Sequence, residues 1–177
     1  MNNHWVKTYT KKHLDIFSDK PNFDIIDIAH GLAFTCRFGG QGRYFYSVAA
    51  HSISLSNIIM ENMGDRRLGM VALMHDSPEF ILGDIPTPIK SHASMKGYVK
   101  VHDMLQKKIF KHFNIECSKT DYDIISLYDF KLAITEAEYL NIDTSDWEIS
   151  IKPYPIEITE EGNTAVDFLM KFMVLGK

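Results

Sequence analysis

The sequence predicts an all-α fold, a single-domain bundle of about six helices. Three observations carry that expectation. Apolar residues recur three and four apart in one segment after another, as the inward stripe of a helix requires. Glycine or proline clusters separate those segments. The chain also lacks the strand–helix alternation that would announce a parallel sheet. One short extended segment is expected near residues 149–158, where "SIKPYPIEIT" alternates and carries two prolines.

Residues 1–22 are polar and aromatic and read as an N-terminal arm. "NFDIIDIAHGLAFTCRF" then places Ile25, Ile28, Ala29, Leu32 and Ala33 at helical spacing, and Gly39, Gly40 and Gly42 end the segment. "YSVAAHSISLSNIIMENM" is a second helix, with Ser47 as its cap and Val48, Leu55, Ile58 and Ile59 on one side. His51 falls on that same side and is expected to point inward. "DRRLGMVALMHD" is apolar around its circumference, which marks a central helix. Beyond it Pro78 leaves two options: a new turn capped by Ser77 with Pro78 in first position, or a continuing, kinked helix. Gly83 stops the segment, and Pro86 and Pro88 read as an extended loop. "MKGYVKVHDMLQKKIFKHFNI" is a long amphipathic helix built on Val101, Leu105, Ile109 and Phe113. "TDYDIISLYDFKLAITEAEYL" is the fifth, with Ile124, Ile125, Leu127, Leu132 and Ile134, and a terminal helix covers 163–175.

The bulk numbers exclude some functions. The 177 residues suffice for a core without staples, and 45% apolar with 24% charged residues is ordinary for a globular protein. A net charge of −4 argues against a nucleic-acid-coating protein. Cys36 and Cys117 form no CxxC pair and suggest no disulfide framework, so a cytoplasmic setting is expected. The opening "MNNHWVKTYTKKHLDIF" has no long apolar run, so neither a signal peptide nor a membrane partner is expected.

The chemistry concentrates in "ALMHDSPEFILGDIPTPIK", residues 72–90. Charged groups at the edge of a core are costly unless something compensates them, and a cation is the natural candidate. His75 and Asp76 point about 100° apart on a helix, so both reach one ion only at the helix edge. His51 of the preceding helix is the natural third ligand. Asp129, interrupting an apolar face between Ile125 and Leu132, offers a fourth. Such a mixed set suits manganese, cobalt, zinc, iron or magnesium. Glu79 follows four residues after His75 and three after Asp76, on a neighbouring part of the surface if the turn is regular.

"SVAAHS", "ALMHDSPEFILGDIPTPIK" and "LYDFKLAITEAEYL" together resemble the HD-domain phosphohydrolase superfamily, in the branch of 5'-deoxynucleotidases and small phage dNTP triphosphohydrolases. The resemblance covers roughly 24–140, the expected metal core, and rests most on HDxxE followed by GDxPTPxK. It implies His51, His75, Asp76 and Asp129 as ligands of one divalent ion, with additional magnesium on the substrate phosphates. It implies Glu79 as the catalytic glutamate beside the attacking water, and Asp84 as a catalytic aspartate that orders that water or the substrate. Arg37-Phe38 matches an Arg-aromatic pair that contacts phosphate and sugar or base, and Lys90 a phosphate contact. A guanidinium offers paired hydrogen bonds to phosphate and an ammonium a point charge. Three positions depart from the family's habit: Phe38 stands where tryptophan is typical, Ala50 where a glutamate precedes the first histidine, and Pro78 where a small polar residue is usual.

The favoured reading is a metal-dependent dNTP triphosphohydrolase with a preference for dATP, cytoplasmic or in a host's cytoplasm if phage-encoded. The alternative is a 5'-deoxynucleotidase acting on dNMPs with the same site. Extra cations for a triphosphate would come from Arg43, Lys90, Lys96 and Lys100. A third reading, of another class, is a catalytically silent nucleotide-binding HD domain. The family suggests a homo-oligomer, a dimer or higher. His30 is a candidate pocket residue, His92 and His102 candidates for a second metal, and His4, His13 and His112 are expected to be solvated.

Overall fold

A computed structural model describes residues 4–145, 147 and 164–177. Among them the fold is all-α, as expected. Six helices of nine or more residues form it: α1 (Ile25–Phe34), α2 (Val48–Met63), α3 (Arg66–Met74), α6 (Lys96–His112), α7 (Lys119–Tyr139) and α8 (Thr164–Leu175). Two single turns, α4 (Glu79–Leu82) and α5 (Thr87–Lys90), lie between α3 and α6. The segment expected to be extended near 149–158 lies outside the described residues.

Four of the helix starts have a side-chain cap. The Asp24 carboxylate accepts from the Ile26 amide, Ser47 Oγ from Ala50, and Asp65 from Leu68, satisfying amides that a helix leaves unpaired. Ser118 and Asp121 form a reciprocal capping box at the head of α7. α3 is buried along its whole length from Leu68 to Met74, which confirms it as the central helix. α2 packs along it, and α1 and α8 cover the same core through Ile28, Leu32, Val48, Leu73 and Phe168.

Three local details differ from expectation. The arm holds a small antiparallel ladder, β1 (Val6–Lys7) with β2 (His13–Leu14), reversed by Lys11 at φ 66° and tied to α1 by the Thr10 amide and hydroxyl on Asp27. The proline loop is not wholly extended. Pro86 is extended, but Thr87–Lys90 close a helical turn, because proline is tolerated where a first-turn amide would have no partner. Around Pro78 neither sequence option holds. Ser77 caps nothing, and the chain tightens into successive three-residue hydrogen bonds: Ser77 to Met74, Glu79 to Asp76, Phe80 to Ser77. Gly83 then ends α4 at φ 75°.

α1 sets the position of α4. A Cβ on Gly31 would stand 2.4 Å from the Phe80 carbonyl oxygen, so only glycine permits this approach.

Candidate metal and phosphohydrolase site

The tight turn after α3 puts His75 and Asp76 beside the first turn of α2, which carries His51. Ligand atoms of His51, His75 and Asp76 lie within 4.8 Å of one another. His75 Nε2 is 3.1 Å from Asp76 Oδ2 and 3.4 Å from His51 Nε2. Asp129, on α7, brings Oδ1 to 3.0 Å from the same His51 Nε2. It touches the cluster through His51.

Both imidazoles are oriented by their other nitrogen. His51 Nδ1–H donates to Glu136 Oε1 at 2.8 Å, and His75 Nδ1–H donates to the Ala72 carbonyl at 2.7 Å. Each partner accepts only, so Nε2 is the nitrogen that each ring turns toward the carboxylates of the cluster. Burial and Arg37 oppose charging of His51, yet Glu136 and Asp129 outweigh them and push it up to about 9. Carboxylates that draw a proton to this nitrogen would equally draw a cation.

Glu136 is the residue that sequence reasoning missed. It is fully buried, seven residues and thus two turns after Asp129 on α7. Its Oε2 lies 3.1 Å from Arg37 Nε. A glutamate among Leu132, Ile134 and Ala137 was the available signal, since a buried charge requires a partner.

Arg37 is largely buried beside this cluster. Its side chain is only 10% exposed, and Nη1 sits 3.5 Å from Asp76 Oδ2. The Arg37 amide donates to the Tyr46 carbonyl, which fastens this loop to the start of α2. Phe38 follows at φ 56°, a left-handed conformation costing a non-glycine residue about 1–3 kcal/mol, with its ring 5.4 Å from the guanidinium.

Glu79, the first residue of α4, is buried, with Oε1 3.4 Å from Lys90 Nζ and Oε2 unpartnered. Burial, then the charges of Asp76 and Asp84, push its carboxyl up to about 9. Asp84 is half-buried and close enough to act electrostatically on Glu79 and Arg37. Even with protons on Glu79 and His51, the acids Asp76, Asp84, Asp129 and Glu136 outnumber the cations Arg37, Lys90 and His51, a negative surplus that a divalent ion would offset.

A cavity of about 720 Å³, within the range of small-ligand sites, opens between α6 and α7. His75, Asp76, Asp129 and Lys90 line one end, and Phe110 and Tyr122 line it further along. Arg37, Phe38, Glu79 and Asp84 do not line it. Among the cations weighed for a triphosphate, Arg43, Lys96 and Lys100 are exposed and also absent from its wall, whereas Lys107 and Lys119 belong to it. His102 lines it too, while His92 is exposed and accepts from the Ser94 amide. His30 instead stacks between Tyr9 and Phe34, and His13 on Trp5.

A helical bundle in which two imidazoles and an aspartate from an HD pair converge beside a buried glutamate defines a site of the HD-domain type. The family model described as 5'-deoxynucleotidase YfbR-like matches residues 45–146, which include every one of these site residues except Arg37 and Phe38. The chain belongs to the YfbR-like family. An uncharacterized protein of Rhodobacter capsulatus is 40% identical over 116 residues, 63% of this chain and 59% of that protein. The uncharacterized protein YfdR of Escherichia coli is 39% identical over 89 residues, 49% and 46% of the two chains. A 5'-deoxynucleotidase of Photorhabdus laumondii is 27% identical over 131 residues, 65% and 66%. The matches thus span between about half and two thirds of these relatives. Among the described residues no helix is long and apolar enough to cross a membrane.

Proposed function

We propose that this chain is a metal-dependent 5'-deoxynucleotidase, hydrolysing deoxynucleoside monophosphates to deoxynucleoside and phosphate. The observation that carries this reading is the convergence of His51, His75 and Asp76 beside buried Glu79 in a chain of the YfbR-like family. The monophosphate is favoured over the dNTP expected from the sequence for two reasons. Relatives such as that of Photorhabdus laumondii are named 5'-deoxynucleotidases. In addition, of the four cations expected to hold a triphosphate only Lys90 lies on the cavity wall, which Lys107 and Lys119 also line.

His51, His75, Asp76 and Asp129 would hold the divalent ion. When bound, that ion polarises the phosphate and makes a water acidic enough to attack near neutral pH. With the charges of Asp76 and Asp84 offset by the ion, Glu79 would ionise and then take the proton that the attacking water gives up, at a carboxyl whose burial suits it to keep one. Lys90, in reach of Glu79 and on the cavity wall, meets the phosphate oxygens. Arg37 contributes positive charge behind Asp76 and, with Phe38, bounds the phosphate and sugar, while Asp84 orders the water or a substrate hydroxyl. The nucleoside extends into the α6–α7 cavity.

Incubating the purified protein and a divalent metal with dAMP and dATP, then separating the products, tests this. Inorganic phosphate and deoxyadenosine from dAMP are expected. Triphosphate from dATP with dAMP untouched would overturn the reading, and inertness toward both would favour the silent nucleotide-binding domain.

A further inference from the structure

The turn that presents His75, Asp76 and Glu79 lacks regular helical hydrogen bonding, so something else must hold it. α6 does so with two side chains. Gln106 Nε2 donates to the Met74 carbonyl at 3.0 Å and to Ser77 Oγ at 3.3 Å, on either side of the His75-Asp76 pair. Tyr98, eight residues earlier on α6, donates its hydroxyl to the Gly83 carbonyl at 3.1 Å, just past α4. Residues 74–83 are thus strapped to one helix at both ends.

The Gln106 amide has only one workable orientation. Flipping it would set Oε1 against the Met74 carbonyl, two acceptors in a buried place. Both Nε2 hydrogens are committed, and Met74 O also receives the Ser77 amide at 3.1 Å. Ser77 is itself fully buried, so no solvent replaces the bond if Gln106 is lost.

We infer that Gln106 is a positioning residue for the metal and phosphohydrolase site, fixing the 74–77 turn from α6, with Tyr98 securing the far end. Gln106 also borders the α6–α7 cavity, but both hydrogens of its Nε2 are directed to the turn and not to that space. A misplacement of about 1 Å in such a turn is enough to cost about a hundredfold in rate. The activity part of this inference rests on the proposed 5'-deoxynucleotidase reaction; the structural part does not.

The test compares Gln106→Met, of similar length but without donors, and Ser77→Ala with the wild-type protein. Four quantities are measured: amide hydrogen exchange, Mn²⁺ affinity by titration, kcat and KM for dAMP, and Tm. In Gln106→Met, exchange should accelerate in residues 77–80 and stay unchanged in α2. Mn²⁺ affinity and kcat should fall by about 10- to 100-fold, with KM within about twofold. Ser77→Ala, which keeps the bond to Met74, should show a smaller effect in the same direction. A lower Tm with unchanged Mn²⁺ affinity and kcat would overturn the inference, as would unaltered exchange at 77–80. If wild type hydrolyses no deoxynucleotide, the proposed function fails, and the exchange and Mn²⁺ results alone decide this one.

Discussion

α3 carries an ionic constellation at each end, and the two are built on opposite charge arithmetic. At its start, Arg67 meets Asp121 through paired hydrogen bonds of 2.8 and 2.7 Å, and Asp121 also accepts from the Ser118 amide and hydroxyl. Every charge there has an answer, and the Asp121 carboxyl is held well below the usual range, first by Arg67 and then by Ser118. At its far end, Asp76, Asp84, Asp129 and Glu136 outnumber Arg37, Lys90 and a protonated His51, and the Glu79 carboxyl is pushed the other way. A closed ion pair serves the fold. An open surplus of acid, kept in place by buried supports, serves a ligand that brings positive charge.

If that contrast is right, substitutions at the two ends should damage different properties. The largest effect is expected from Asp76→Ala, which should abolish stoichiometric metal binding and lower turnover by at least about a thousandfold. Metal analysis and phosphate release from dAMP check it. Glu79→Gln should keep the metal and lose about 10²- to 10⁴-fold in kcat. Its Tm should change little near pH 7, because a buried, protonated carboxyl is replaced by a neutral amide of the same shape. A Glu79→Gln protein of normal kcat would remove the role assigned to that carboxyl.

Glu136→Gln falls between the two classes. It leaves His51 an acceptor but withdraws the charge, so metal affinity should drop about 10- to 100-fold and Tm should fall as well. At the other end, Asp121→Asn should leave kcat unchanged and cost about 1 kcal/mol, or roughly 2–4 °C in Tm. Its pH dependence has a definite sign. A carboxylate whose folded pKa is depressed stabilises the protein above its unfolded value, about 3.9, and loses that contribution as pH falls through the folded one. The Tm gap between wild type and Asp121→Asn should therefore be constant from pH 7 to about 5 and narrow below about 4. A gap that widened in acid would break the comparison.

The sequence reveals those parts of the molecule that depend on neighbours along the chain. Ser47 and the spacing of Val48, Leu55 and Ile58 announce α2, and the all-apolar run of α3 announces its central place. The HD pair and HDxxE likewise sit within a few residues of each other, so the motif is visible. What stayed hidden depends on partners distant in sequence. Glu136 earns its meaning from His51, 85 residues earlier, and Gln106 from a turn about thirty residues before it. The resemblance implies Arg37 as a substrate contact, but its anchoring by Glu136 and Asp76 is visible only in the fold. The α5 turn departs from the extended loop expected at Pro86 and Pro88 because a first-turn position does not require the donor that proline lacks.

Anomalous diffraction from crystals equilibrated with Mn²⁺ tests the central claim most directly. The account predicts one strong peak per chain in bonding contact with His51 Nε2, His75 Nε2 and an Asp76 carboxylate oxygen, with Asp129 completing the set. A crystal in which Mn²⁺ binds elsewhere, leaving His51 Nε2 on Asp129 alone, would contradict it.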